Sequence, residues 1–166
     1  MDDKNINENV NEQSENINEP SDKIQFFIPI RIPTVTAQER RVLPSKTGGK
    51  PIFFDTPEIA NARAKYIAYL GQYKPVNKYL GAVSLRVVWC FQATVKHRHG
   101  EWKISKPDTD NMIKLFKDCM TKVGFWKDDA QVAREIQEKR YCDIEGIYVQ
   151  VSPLDAPLVS MAEKEV

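Results

Sequence analysis

"DTDNMIKLFKDCMTKVGFWKDDAQV", residues 108–132, sets a helical stripe between two acidic pairs. Met112, Leu115, Phe116, Cys119, Met120 and Val123 recur at the spacing of one helix face, a stripe that must meet a core. Asn111, Lys114, Lys117 and Asp118 fall outside it, and Gly124 is placed to end the helix. Upstream, Pro107 biases Lys106 away from helical angles, so the approach to the helix reads as extended. In an extended stretch residues i and i+2 project the same way, which would aim Asp108 and Asp110 at one spot. Asp128 and Asp129 follow where the helix has ended and the chain turns into a strand. If helix and strand pack side by side, that turn folds back toward the first pair.

Carboxylates gathered without histidine or thiolate suit a hard cation such as Mg²⁺ or Mn²⁺. A site of this kind activates water and clamps a phosphate. Lys114, one turn after Asp110, would hold an aspartate or steady developing charge on a phosphate. The same residues also have plain structural uses. Asp108 or Asp110 can cap the helix, Asp110 and Lys114 can form a surface ion pair worth ~0.3–0.5 kcal/mol, and Asp128-Asp129 can be turn residues.

Outward from this segment the patterns are clear. In "VSLRVVWCFQ", residues 83–92, Val83, Leu85, Val87, Trp89 and Phe91 alternate on one strand face. Ile24, Phe26, Ile28, Ile30 and Ile32 do the same in "IQFFIPIRIP", with Pro29 and Pro33 marking an edge or an irregular end. "DTPEIANARAKYIAYLGQY" opens with Thr56, Pro57 and Glu58, a helix start, and carries Ile59, Ala62, Tyr66, Tyr69, Leu70 and Tyr73 toward a core. "VAREIQEKRYC" and "IYVQVS" read as a closing antiparallel pair joined through Asp143 to Gly146. The expectation is a single compact α/β domain over a mixed sheet, in the order strand, helix, strand, helix, strand, strand.

The chain has 166 residues, 42% hydrophobic and 28% charged, which suits one globular domain. Residues 1–22 form an acidic, Asn-rich tail expected to be disordered, residues 23–154 form the domain, and residues 155–166 are a loose tail. The acidic Asn-rich start resembles no targeting peptide, and no apolar run approaches the roughly 20 residues that span a bilayer. A cytoplasmic protein with no membrane partner is expected. Cys90, Cys119 and Cys142 lack the spacing of a disulfide framework or a zinc site and read as reduced thiols.

The net charge of +1 conceals an asymmetry: residues 1–22 carry −6 and the remainder +7, which fits a polyanionic partner. Two loops concentrate the positive charge. "ERRVLPSKTGGKP" offers Arg40, Arg41, Lys46 and Lys50, although its Gly48-Gly49-Lys50 lacks the earlier glycine and following Ser/Thr of a phosphate-binding loop. "KHRHGEWKISKP" offers Lys96, Arg98, Lys103 and Lys106 with Trp102 among them, a phosphate-tracking surface with a stacking ring.

The 108–132 segment resembles the signature of the RusA family of Holliday junction resolvases: D-x-D-N, a lysine four residues after the second aspartate, and G-x-x-x-DD-x-Q-V. The resemblance implies a RusA-like fold and a homodimeric, Mg²⁺-dependent endonuclease that cuts four-way DNA junctions, with Mn²⁺ as a substitute ion and phage carriage common. It implies that Asp108, Asp110 and Asp129 bind metal, with Lys114 in support, Asp128 secondary, and Asn111 and Gln131 orienting the site. Two rivals remain on the residues alone: a non-catalytic junction-binding module of the same fold, and a phosphoryl-transfer enzyme acting on small substrates.

Overall fold

The computed structural model describes residues 23–35, 41–43 and 52–154, and of 41–43 and 52–54 the backbone alone. Residues 1–22 and 155–166, expected as tails, and Gly48-Gly49-Lys50 lie outside the described residues. Eight elements follow in order: β1 (Ile24–Ile28), β2 (Arg41–Leu43), β3 (Ile52–Phe54), α1 (Pro57–Leu70), β4 (Val83–Gln92), α2 (Thr109–Val123), β5 (Val132–Cys142) and β6 (Gly146–Pro153). Four strands form one mixed sheet in the order β1-β6-β4-β5, while β2 and β3 pair antiparallel as a separate ribbon. The first basic loop, read as irregular in the sequence, thus holds the strand β2, which pairs with β3 just beyond it.

Alternation decides which side of the sheet is covered. Val83, Leu85, Val87 and Trp89 of β4, Ile147, Val149 and Val151 of β6, and Phe26 and Ile28 of β1 are all buried on one face. Both helices pack there. Thr56 Oγ1 accepts from Ile59 N at 3.4 Å to start α1, which buries Ile59, Ala62, Tyr66 and Leu70. The stripe on α2 meets them: Phe116 sits edge-on to Tyr66 at 5.1 Å and to Trp89 at 5.6 Å, joining helix, helix and sheet. Gly124 ends α2 with φ 98°, a left-handed cap whose N–H reaches Met120 O and Thr121 O. Gly146 opens β6 where a Cβ would run into the Ile28 carbonyl and the Phe27 ring.

One expectation is overturned. β5 and β6 are sequential yet unpaired, because β4 lies between them, parallel to β5 and antiparallel to β6. Composition gives the reason. β4 has a continuous apolar face that gains most from a central place, whereas β5 carries Arg134, Glu135, Glu138, Lys139 and Arg140 and suits an edge. The segment β4-α2-β5 is therefore a βαβ crossover in which α2 runs antiparallel to both strands.

The other sheet face carries no helix among the described residues. There Glu138 Oε1 accepts from Arg86 at 2.6 Å, and its Oε2 from Arg140 Nε at 2.8 Å. Arg140 in turn lies 3.6 Å over the Trp102 ring. The three cysteines are free. Burial pushes the Cys90 thiol up to about 12 and Cys119 to about 11, so both stay protonated at neutral pH. Among the described residues no helix is long and apolar enough to cross a membrane.

The hydrogen bonds from Arg86, then those from Arg140, hold the Glu138 carboxyl below its usual range. A depressed carboxyl contributes stability above its unfolded value and loses it as pH falls through the folded value. Glu138→Gln should cost about 1 kcal/mol at pH 7, discounted for the partly exposed guanidinium groups. In urea melts across pH, the difference from the parent chain should shrink as the pH falls below the ordinary glutamate range and vanish below the lower folded value.

Candidate active site

α2 fixes the position of every acidic residue singled out in the sequence. Asp108 takes the N-cap position with extended angles, and its side chain makes no capping hydrogen bond. The helix begins at Thr109, so Asp110 stands in the first helical turn; the two carboxylates share a helix end instead of an extended stretch. That end carries the positive pole of the helix. Both side chains are exposed and have no hydrogen-bond or ion-pair partner among the described residues. Lys114 is also exposed and forms no ion pair with Asp110 there, so the surface-pair reading does not account for either residue.

The second acidic pair splits into two roles. Asp128 Oδ1 accepts from Ala130 N at 2.8 Å and caps the short 3-10 turn Asp129–Gln131. Gln131 completes this turn: its Oε1 accepts from Lys127 N at 2.8 Å and from Asp128 N at 3.2 Å. Its Nε2 donates to Tyr79 O and Gly81 O at 3.0 and 2.9 Å, tying the turn to the chain before β4. The Asp129 side chain is exposed and has no partner among the described residues.

The crossover keeps the two pairs apart. Asp108 and Asp110 start α2 and Asp129 follows its end, so the 15-residue helix, roughly 22 Å long, lies between them. Cross-links confirm the alignment. Lys117 Nζ meets Glu135 Oε2 at 2.7 Å midway, while Lys139, further along β5, reaches the chain just before Asp108. Among the described residues no three His, Cys, Asp or Glu side chains of one chain gather as a metal cluster.

Positive charge collects at the Asp108–Asp110 end. Lys96, Arg98 and Lys106 are exposed on the loop that leads to α2 and have no side-chain partners among the described residues. Lys103 is half-buried: its Nζ donates to Ser105 Oγ at 2.6 Å and lies 4.9 Å from the centre of the Phe91 ring, so it anchors the loop. Trp102 is 58% exposed, with the Arg140 guanidinium over its ring. Arg41 falls in β2, with its side chain outside what is described, and Arg40, Lys46 and Lys50 lie outside the described residues.

The sequence reading missed Lys139. Its Nζ donates to Ser105 O and Pro107 O, both at 2.8 Å, and so clamps the segment that presents Asp108. The signal was available: in β5 it occupies the helix-facing register of Glu135 and Gln137, where a charge needs partners. Lys139→Met keeps the aliphatic stem and removes two charge-assisted bonds. It should speed amide exchange over residues 103–110 on the order of tenfold, the equivalent of about 1.4 kcal/mol, while the global melt changes little.

With the geometry in place, comparison with known proteins is specific. The family model for "Endodeoxyribonuclease RusA" matches residues 32–152, which spans both helices, β4, β5 and all four aspartates. The crossover junction endodeoxyribonuclease rusA of Lactococcus phage r1t is similar to this chain, 33% identical over 112 residues, covering 66% of the chain and 82% of the relative. The matched region takes in the helix whose two ends carry the unpartnered carboxylates, and the chain belongs to the RusA endodeoxyribonuclease family.

Proposed function

We propose that this protein is a divalent-metal-dependent endonuclease that resolves four-way DNA junctions as a homodimer. The observation that carries the reading is the pair Asp108 and Asp110: exposed, without side-chain partners among the described residues, and at the start of α2, to which the loop bearing Lys96, Arg98 and Lys106 leads and on whose first turns Lys114 stands. An acidic pair inside a basic end is a poor phosphate-binding surface without a cation and a good one with it.

The donor set fits Mg²⁺. Both carboxylates keep their oxygens open, no sulfur or imidazole competes, and Mg²⁺ binds through one or two carboxylates while retaining waters. Mn²⁺ suits the same oxygens. Asp108 and Asp110 would hold the ion, joined by Asp129 of a second copy, since α2 separates that residue from the pair within one chain. A bound ion supplies Lewis-acid stabilisation of the phosphate and lowers the pKa of water.

The chain's own groups do the rest. Lys114, one turn along α2 from Asp110, brings a positive charge to the phosphate as negative charge builds in the transition state. Lys139 holds the backbone before Asp108 in place, which keeps the carboxylates where the phosphate must sit. Lys96, Arg98 and Lys106 neutralise flanking phosphates, contacts that position DNA without reading its sequence. Water attacks phosphorus in line, the bond to the 3′ oxygen breaks, and that oxygen leaves with a proton as a 3′-hydroxyl beside a 5′-phosphate. Two such sites related by a twofold axis meet two equivalent strands of a junction.

The test is cleavage of a synthetic four-way junction with and without Mg²⁺. Asp110→Asn should lower the nicking rate on the order of a hundredfold or more while junction binding persists. Lys114→Ala should lower it roughly tenfold, with the folded chain unchanged within about 0.5 kcal/mol. Asp110→Asn cutting at the parent rate removes the metal assignment, and tight binding with no cutting by the parent chain identifies a binding module.

A further inference from the structure

We infer that Cys90 and Cys142 form a two-thiol site for a soft monovalent cation, Cu(I), on the sheet face away from the helices. The two residues come from neighbouring strands. Cys90 of β4 stands opposite Arg140 of β5, and Cys142 lies two residues further along β5, opposite Gln92. Residues two apart in a strand share a face, so both thiols project from the side of the sheet that holds the Arg86–Glu138 contact. There they line a cavity of about 370 Å³ with Phe27, His99, Asp143 and Ile144.

Both neighbouring strands leave room beside the sulfurs. On the β6 side Cys90 faces Gly146, which has no side chain, and the Phe27 ring leans over that glycine as a wall. On the β5 side Arg140 turns aside. Its Nε donates to Glu138 Oε2 at 2.8 Å, another of its nitrogens donates to Gly100 O at 3.2 Å, and the guanidinium lies over Trp102. Cys90 and Cys142 thus come close enough to hydrogen-bond to each other. At the rim His99 Nδ1 is taken up by Asp143, accepting from its N–H at 3.2 Å and lying 3.1 Å from its Oδ2.

Spacing and donor type choose the ligand. Residues one strand across and two along a sheet are roughly 8 Å apart at Cα, beyond the reach of an unstrained disulfide. An ion between the sulfurs replaces one short S–S bond by two longer bonds, about 2.3 Å each when the metal is zinc, and so bridges a wider gap. Zinc itself takes four ligands, and no third His, Cys, Asp or Glu completes such a group among the described residues. Mg²⁺ takes oxygens. Two sulfurs between apolar walls suit Cu(I). The ion displaces one proton from each thiol and forms two copper–sulfur bonds, giving a complex of net charge −1. The Arg140 charge, which already acts on Cys90, favours that anion. Burial, and then the contact with Cys142, push the free Cys90 thiol up to about 12, so copper binds in competition with a proton. The site is independent of the hard-ion chemistry proposed for Asp108 and Asp110.

The test uses the full chain, reduced and kept free of oxygen, with Cu(I) added as its acetonitrile complex against bicinchoninate as a coloured competitor. The parent should hold one Cu(I) per chain, release about two protons for each ion bound and melt at a higher temperature than the metal-free chain. Cys142→Ser, at a partly exposed position, should weaken binding at least about a hundredfold and abolish the rise in melting temperature. Cys90→Ser should do the same. Cys119→Ala, which removes the thiol that meets Arg63 O in the core, should bind copper as the parent does. A parent that yields all its copper to the competitor, or binds it without releasing protons, overturns the site. So does a Cys142→Ser chain that binds as tightly as the parent.

Discussion

A helix laid antiparallel across two parallel strands cannot bring its own ends together. That constraint governs this protein. The stripe from Met112 to Met120 buries itself on β4 and β5, Phe116 locks it to Trp89 and Tyr66, and the Lys117–Glu135 pair fixes its level against β5. Once those contacts form, Asp108 and Asp110 are committed to one end of the sheet and Asp129 to the other. The packing that stabilises the domain is also what divides its carboxylates.

The two ends are built differently. Where α2 begins, the approach is held by Lys139 on the Ser105 and Pro107 carbonyls and by the Lys103 anchor, and the carboxylates are left free. Where it finishes, Asp128 and Gln131 spend nearly all their polar atoms on the turn and on Tyr79 and Gly81, leaving Asp129 as the free carboxylate. Rigid backbone around an unpartnered side chain is the arrangement that preorganises a binding group. Both ends have it, and among the described residues neither gathers three carboxylates.

Much of this was legible in the sequence, and the gaps have physical causes. Local periodicity revealed both helices, β4 and the alternating isoleucines of β1, because burial on one face writes itself into residues two or 3.6 apart. Strand partnership does not. Alternation says which face of β5 is polar and says nothing of which strand lies beside it, so the short link from Cys142 to Gly146 suggested a hairpin that β4 in fact interrupts. The division of the aspartates depends on that same pairing and was hidden with it. The family signature named the residues without their distances, and Lys139 escaped because its value lies in carbonyls more than thirty positions away.

The central claim is that one working site draws carboxylates from two chains. Asp110→Asn and Asp129→Asn chains, each inactive alone, can be co-expressed with different tags and the mixed dimers isolated. If sites are shared between copies, each mixed dimer holds one intact set and one doubly altered set, and should nick a junction strand at about half the parent rate. If each site is made within a single chain, every site in the mixed dimer carries one substitution. Mixed dimers no more active than the two parents of the mixture would contradict the account.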